Sequence, residues 1–183
     1  MKFINTSIAG LHLIQLLKIE DDRGLFARTF CKKEFSQIGF NKDFVQYNHS
    51  FNKKKGTIRG MHFQHPPFAE TKLIRCVQGV VYDVAVDMRK GSPTFLQHYG
   101  VELSAENFLS ILIPEGFAHG FQTLEDNSSL IYHHTEYYNS IADGGICFDD
   151  PAINIQWKLP AVMISEKDKS YEPINNNFKG ITT

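Results

Sequence analysis

The 183-residue chain carries 19 Lys plus Arg against 20 Asp plus Glu, a net charge of -1, with 42% apolar and 21% charged residues. A chain of this length fits one domain that buries on the order of 70% of its unfolded surface, which excludes global disorder. The charge balance excludes a general field for nucleic acid or anionic lipid. Cys31, Cys76 and Cys147 form no CxxC pair and are odd in number, so they suit neither a disulfide framework nor a zinc set and point to a reducing cytoplasm.

The first ten residues lack the basic and apolar regions of a secretory signal, and no apolar run is long enough to span a bilayer, so neither export nor a membrane partner is expected. Reading for period, strands are predicted over 11–19, 24–30, 44–51, 57–64, 72–77, 80–86, 95–103, 109–113, 116–124 and 129–137, with one short helix over 32–38. Turn signals such as Lys90-Gly91-Ser92-Pro93 and Glu125-Asp126-Asn127 separate them. So many short strands imply a mainly β protein, a closed barrel or jelly roll that leaves no strand edge bare. A core barrel is expected over about 40–140 of a single domain spanning 1–183. After Pro151 the alternation stops, yet Ile155, Trp157, Leu159, Val162 and Ile164 supply enough apolar surface to dock on the barrel as a buttress over about 150–175. The polar stretch 175–179 is expected to be loosely held.

Strand alternation puts Gly60, His62 and Gln64 on one face and Arg59, Met61 and Phe63 on the other. Polar residues facing inward would line a ligand pocket, whereas facing outward they would merely meet solvent, and the pattern alone leaves both open. Over 80–87, Asp83, Ala85 and Asp87 oppose Val84 and Val86, and a polar interior with a covered exterior would account for both strands. His119 sits among small residues in Pro114-Glu115-Gly116-Phe117-Ala118-His119-Gly120, and Tyr132-His133-His134 follows later. Taken alone, each is more commonly a packed residue than a catalyst.

The order His62, Glu70 and Pro114-x-Gly116-x-x-His119 resembles the two metal-binding motifs of cupin barrels. Gln64, a neutral amide and a poor ligand, stands where a second histidine would be, and His65 faces away, so a metal-free site is expected.

A closer resemblance is carried by Asp22-Arg23-Gly24-Leu25-Phe26, Phe44-Val45-Gln46-Tyr47-Asn48-His49-Ser50, Ile58-Arg59-Gly60-Met61-His62-Phe63-Gln64 and Lys72-Leu73-Ile74-Arg75. It continues through Asp83-Val84-Ala85-Val86-Asp87, Ser92-Pro93-Thr94, residues 113–121, Tyr137-Tyr138 and Ser165-Glu166-Lys167-Asp168. In this ordered set, spread over nearly the whole chain, the sequence is similar to the dTDP-4-dehydrorhamnose 3,5-epimerase family, metal-independent cupins of deoxysugar biosynthesis. The resemblance implies a cupin-type jelly-roll β-barrel with a short N-terminal helix and a helical or irregular C-terminal segment, no cofactor, and a nucleotide-sugar substrate, dTDP-linked.

It also implies roles. His62 would be the base that takes a proton from carbon, Asp168 its orienting carboxylate, Lys72 the cation at the enolate oxygen and Tyr132 the acid on the opposite face. Arg23 and Arg59 would meet the diphosphate, with Gln46, Asn48 and Lys167 in support; Tyr138 would stack on the base near Asp143. His119 would reach the sugar or help hold Lys72 and Asp83. Arg28 stands where rhamnose-pathway members carry a glutamate near the nucleotide, which leaves open the nucleobase and whether C3, C5 or both are inverted. Other readings are a single-site epimerase on another nucleotide sugar, a metal-dependent cupin or a non-catalytic sugar-binding cupin. Family members form homodimers by N-terminal strand exchange, so Arg23 and Arg28 would serve in trans.

Overall fold

A computed structural model describes residues 1–175 and 177–183. In chain order the strands are β1 (Lys2–Asn5), β2 (His12–Gln15), β3 (Lys18–Asp21), β4 (Gly24–Ala27), β5 (Gln46–Asn52), β6 (Ile58–Gln64) and β7 (Lys72–Gln78). They continue as β8 (Val80–Asp87), β9 (His98–Ser104), β10 (Leu109–Ile113), β11 (Phe117–Thr123), β12 (Ser128–His134) and β13 (Asp143–Gly145). The helices are α1 (Lys32–Phe35), continued by a 3-10 turn over Ser36–Ile38, and α2 (Glu166–Lys169). Among the described residues no helix is long and apolar enough to cross a membrane.

Two antiparallel sheets face each other in a jelly roll, one ordered β1-β2-β10-β7-β12-β5 and the other β13-β6-β11-β8-β9. Between them Ile74, Cys76, Val81, Ala85, Ile111 and Phe121 form the inner core. β8 explains why a strand that looked half polar is buried almost throughout. Val81 and Ala85 face that core, while Tyr82, Val84 and Val86 face Ile146, Ile153, Ile155 and Trp157 of the C-terminal segment. Covering the outer face removes further apolar surface from water, at about 25 cal/mol per Å². A third cluster packs Phe35 of α1 against Ile14, Leu73 and Leu112 on the outside of the first sheet.

Several sequence expectations change. The strand predicted over 11–19 is broken into β2 and β3, and among the described residues β3 pairs only with β4, as a hairpin apart from both sheets. The strand predicted from Phe95 begins at His98, because Leu96 is at φ 63 in a turn that closes on Asp87. β12 stops at His134, and 135–137 turn away towards the pocket rim. β1 and β13 had no signal in the pattern; each is very short. Asp87 is not interior lining. It is tied at the strand end by Arg89 at 2.7 Å and by the Ser92 and Thr94 hydroxyls, each at 2.6 Å. Val162 does not dock in the core: it is exposed, its N–H bonded to the Gly56 carbonyl at 2.9 Å. Asn176, in the stretch expected to be loose, lies outside the described residues, but around it Phe178 stacks on Phe95 and buried Ile181 donates to the Met88 carbonyl.

Candidate active site

At one end of the jelly roll the inner core gives way to a cleft of about 560 Å³. It opens on side chains from β5, β6, β7, β11 and β12 and on the C-terminal segment. The strand β6 supplies two of them through an irregularity. Opposite β11, His62 pairs with His119, but Arg59 pairs with Phe121, so the register shifts between them. Gly60 sits at φ 120, and a Cβ there would lie 2.6 Å from the Gly120 Cα, so only glycine fits this crossing. The bulge overrides alternation: Arg59, expected on the face opposite His62, lines the same cleft.

The Nε2 of His62 donates to Asp168 Oδ1 at 2.8 Å, and Asp168 Oδ2 accepts the Gly60 N–H at 3.0 Å. The Ser165 hydroxyl caps α2 by accepting the Asp168 N–H at 3.1 Å. Burial pushes the Asp168 carboxyl up, but the His62 imidazole and the Gly60 N–H outweigh it and hold it below the ordinary carboxylate range. With Nε2 committed as a donor, Nδ1 of His62 keeps its lone pair.

Lys72, buried at the start of β7, forms an ion pair with Glu70 at 3.2 Å and donates to the His62 carbonyl at 3.4 Å. Glu70 in turn accepts from His134 Nδ1 at 2.6 Å. Behind this group His119 donates to buried Asp83 at 2.9 Å, and its imidazole is held below its usual range, first by burial. Tyr132, whose ring lies 6.0 Å from that of His119, has its phenol pushed up by burial and by Asp83, with Arg59 pulling the other way. At pH 7 the phenol is protonated and able to donate.

At the mouth the Tyr138 hydroxyl donates to Asp143 at 3.2 Å, and Lys167 pairs with the same carboxylate. That contact, together with a smaller pull from Tyr171, raises the lysine further above its usual range. Gln46 accepts the Tyr138 N–H at 3.0 Å and reaches Asn48 at 3.4 Å, standing just outside the lining.

His62, Lys72, Tyr132, Asp168, Asn48, Arg59, His119, Tyr138, Asp143 and Lys167 therefore converge on one cleft, with Asp83 behind it. Arg23 and Arg28 do not. Arg23 is exposed on the β3–β4 hairpin and pairs with Asp21 at 2.6 Å, while Arg28 pairs with Glu34 at 2.7 Å. Gln64 lines the cleft, but its amide is spent on protein: it donates to the Phe68 and Tyr137 carbonyls and accepts the Asn139 N–H. Glu70, noticed only for its metal-like spacing, and His134, noticed only as part of a cluster, are the residues that sequence reasoning left without a role. The available signal was the lysine itself, since a buried ammonium requires a counter-charge nearby.

Comparison with known proteins agrees with this geometry. Residues 5–176 match the family model described as dTDP-4-dehydrorhamnose 3,5-epimerase. A protein of that name from Shigella flexneri is 44% identical over 169 residues, covering 92% of this chain and 93% of the relative. A crystal structure of the Bacillus anthracis enzyme of that name, with TDP and PPi bound, superposes with a TM-score of 0.92 at 42% identity, covering 94% of this chain and 99% of the other. The Legionella pneumophila dTDP-6-deoxy-D-glucose-3,5-epimerase, in complex with dTDP-4-keto-L-rhamnose, gives 0.92 at 37% identity, covering 100% and 98%. A cupin-like jelly roll, an imidazole–carboxylate pair facing a lysine and a tyrosine, and similarity along almost the full length place this chain in the dTDP-4-dehydrorhamnose 3,5-epimerase family.

Proposed function

We propose that this protein is an isomerase that epimerises dTDP-4-dehydro-6-deoxy-D-glucose at C3 and C5 to dTDP-4-dehydro-L-rhamnose. The C–H bonds at these carbons are acidified by the C4 carbonyl. His62 Nδ1 takes the proton while the electron pair moves onto the carbonyl oxygen, forming an enolate. Asp168 accepts from Nε2–H and stabilises the imidazolium that results. The Lys72 ammonium stabilises the enolate oxygen, the kind of contact whose loss typically costs roughly 100- to 1,000-fold. Tyr132 returns a proton from the opposite face, and Arg59 stabilises the phenolate it leaves.

The observation that carries this reading is the 2.8 Å His62–Asp168 contact in a cleft shared with Lys72 and Tyr132. Arg59 and Lys167 suit the diphosphate, Asn48 and Gln46 support it, and Tyr138 beside Asp143 suits the nucleobase. Asp83 acts through His119, which faces the sugar. Among the described residues the β3–β4 hairpin has no sheet neighbour, and it exposes Ile19, Leu25 and Phe26, with the adjoining Leu17 exposed beside it. Such an unpartnered apolar hairpin supports a homodimer in which Arg23 and Arg28 complete the partner's site. The thiols of Cys31, Cys76 and Cys147 are free, which suits the cytoplasm.

The test is proton NMR in heavy water with dTDP-, CDP- and GDP-linked 4-keto-6-deoxyglucose. Deuterium at both C3 and C5 of the dTDP sugar is expected; binding without exchange at either carbon would refute catalysis.

A further inference from the structure

A chain of contacts in the wall of the cleft joins Lys72 to Glu70 and His134, two residues given no role in the reaction described above. The Lys72 side chain is about nine-tenths buried, and taking an ammonium out of water costs several kcal/mol unless it is compensated. Among the described residues Glu70 is the one carboxylate within ion-pair distance of it, and the Glu70 side chain is itself about nine-tenths buried. The His62 carbonyl accepts one of the ammonium hydrogens at 3.4 Å, Glu70 supplies the opposite charge at 3.2 Å, and the lysine also lines the cleft.

Glu70 is in turn fixed. Its second oxygen lies 2.6 Å from His134 Nδ1, and His134 Nε2 lies 3.2 Å from the Asn48 amide nitrogen. An amide N–H₂ can only donate, so Nε2 accepts and Nδ1 carries the hydrogen that goes to the carboxylate. Both contacts are satisfied by one tautomer. The backbone holds the same arrangement: His134 and Lys72 are paired across β12 and β7, and the Thr71 N–H meets the Thr135 hydroxyl at 2.9 Å while the Thr135 N–H meets the Thr71 carbonyl at 3.1 Å. Burial pushes the Glu70 carboxyl up, but His134 and Lys72 together bring it below its ordinary range, so it is an anion when the lysine needs one.

We propose that Glu70 and His134 are positioning residues of the epimerisation site: the Nδ1–H of His134 orients the Glu70 carboxylate, which holds the Lys72 ammonium aimed at the substrate carbonyl. The carboxylate whose spacing from His62 resembles a metal ligand thus serves an organic cation. Asn48 extends the chain upward. Its amide oxygen meets Gln46, which accepts the Tyr138 N–H at the rim, so the tautomer of His134 is set by residues that the nucleotide would contact. This inference rests on the epimerase reading above.

The test uses the full chain with Glu70→Gln, His134→Leu and His134→Gln, beside His62→Ala and Lys72→Ala as benchmarks. Glu70→Gln keeps the shape and loses the charge; kcat should fall roughly 10- to 100-fold, the range typical of partners that orient a catalytic group, with KM changed less than about threefold. His134→Leu should lose about tenfold and His134→Gln, which retains an N–H donor, should recover most of it. Nitrogen-15 NMR should show His134 protonated at Nδ1 in the wild type. Wild-type kcat in Glu70→Gln, with Lys72→Ala inactive, would sink the proposal and leave the epimerase reading standing. A wild-type His134 protonated at Nε2 would also sink it, and that readout stands even if Glu70→Gln does not fold. Absence of turnover in the wild-type protein itself would instead sink the epimerase reading.

Discussion

Replacing Asp168 by Asn removes one charge and changes which way a ring nitrogen points. The Gly60 N–H, buried beside the carboxylate, requires an acceptor, so the amide oxygen of Asn must face it and the amide nitrogen then faces His62. An amide nitrogen only donates. Nε2 of His62 therefore becomes the acceptor, the hydrogen moves to Nδ1, and the atom that should take the proton from carbon arrives already protonated. Charge is lost as well. Two unit charges at the 2.8 Å separation interact by about 6 kcal/mol at an effective dielectric of 20. The His62 side chain is 35% exposed, so solvent screens part of this. A loss of about 4 to 5 kcal/mol of transition-state stabilisation corresponds to a fall in kcat of roughly 1,000- to 5,000-fold. The assay is single-turnover deuterium exchange by NMR, with circular dichroism to confirm that the variant is folded. A folded Asp168→Asn protein within tenfold of wild type would refute the tautomer argument.

Three further outcomes follow from particular contacts. Gly60→Ala puts a Cβ 2.6 Å from the Gly120 Cα at φ 120 and should cost about 3 kcal/mol or more, read as a lower urea midpoint; unchanged stability would mean that the bulge relaxes freely. Buried Asp87 is held down to about 2 against an ordinary 3.8, although burial pulls it up, because Arg89, Ser92 and Thr94 outweigh that pull. Its folded value lies below its unfolded one, so it contributes about 2 kcal/mol that is present above pH 3.8 and lost as pH falls through 2. Asp87→Asn should therefore lower Tm at pH 7 by about 4 to 8 °C and erase the difference from wild type near pH 2. Finally, an Arg23→Ala, Arg28→Ala double variant mixed with His62→Ala should regain about a quarter of wild-type activity, since half of randomly paired dimers hold one complete site. No recovery, with mixed dimers confirmed by native mass spectrometry, would refute completion of the site in trans, and full activity of the double variant by itself would place both arginines outside the site.

The legible part of this protein is what depends on neighbours in sequence. Alternation in 57–64, 80–86 and 116–124 marked β6, β8 and β11, whose inward and outward faces are both occupied. The spacing of His62, Lys72, Tyr132 and Ser165-Glu166-Lys167-Asp168 carried the family resemblance without any knowledge of contacts. Arg59 is the instructive failure. Period two places it opposite His62, and only the close approach of Gly60 to Gly120 shows that the period is interrupted there.

The residues themselves determined that a mainly β chain with a balanced charge would carry an imidazole, an ammonium, a phenol and a distant acid. Only folding decided that Asp168 reaches His62 across 106 residues, that Glu70 and His134 meet across 64, and that Arg23 and Arg28 stay away from their own chain's cleft. The reason is physical. Periodicity reports which side chains share a face, but which faces then meet is settled by burial of apolar surface between segments far apart in sequence, and the polar partners are carried along by that packing.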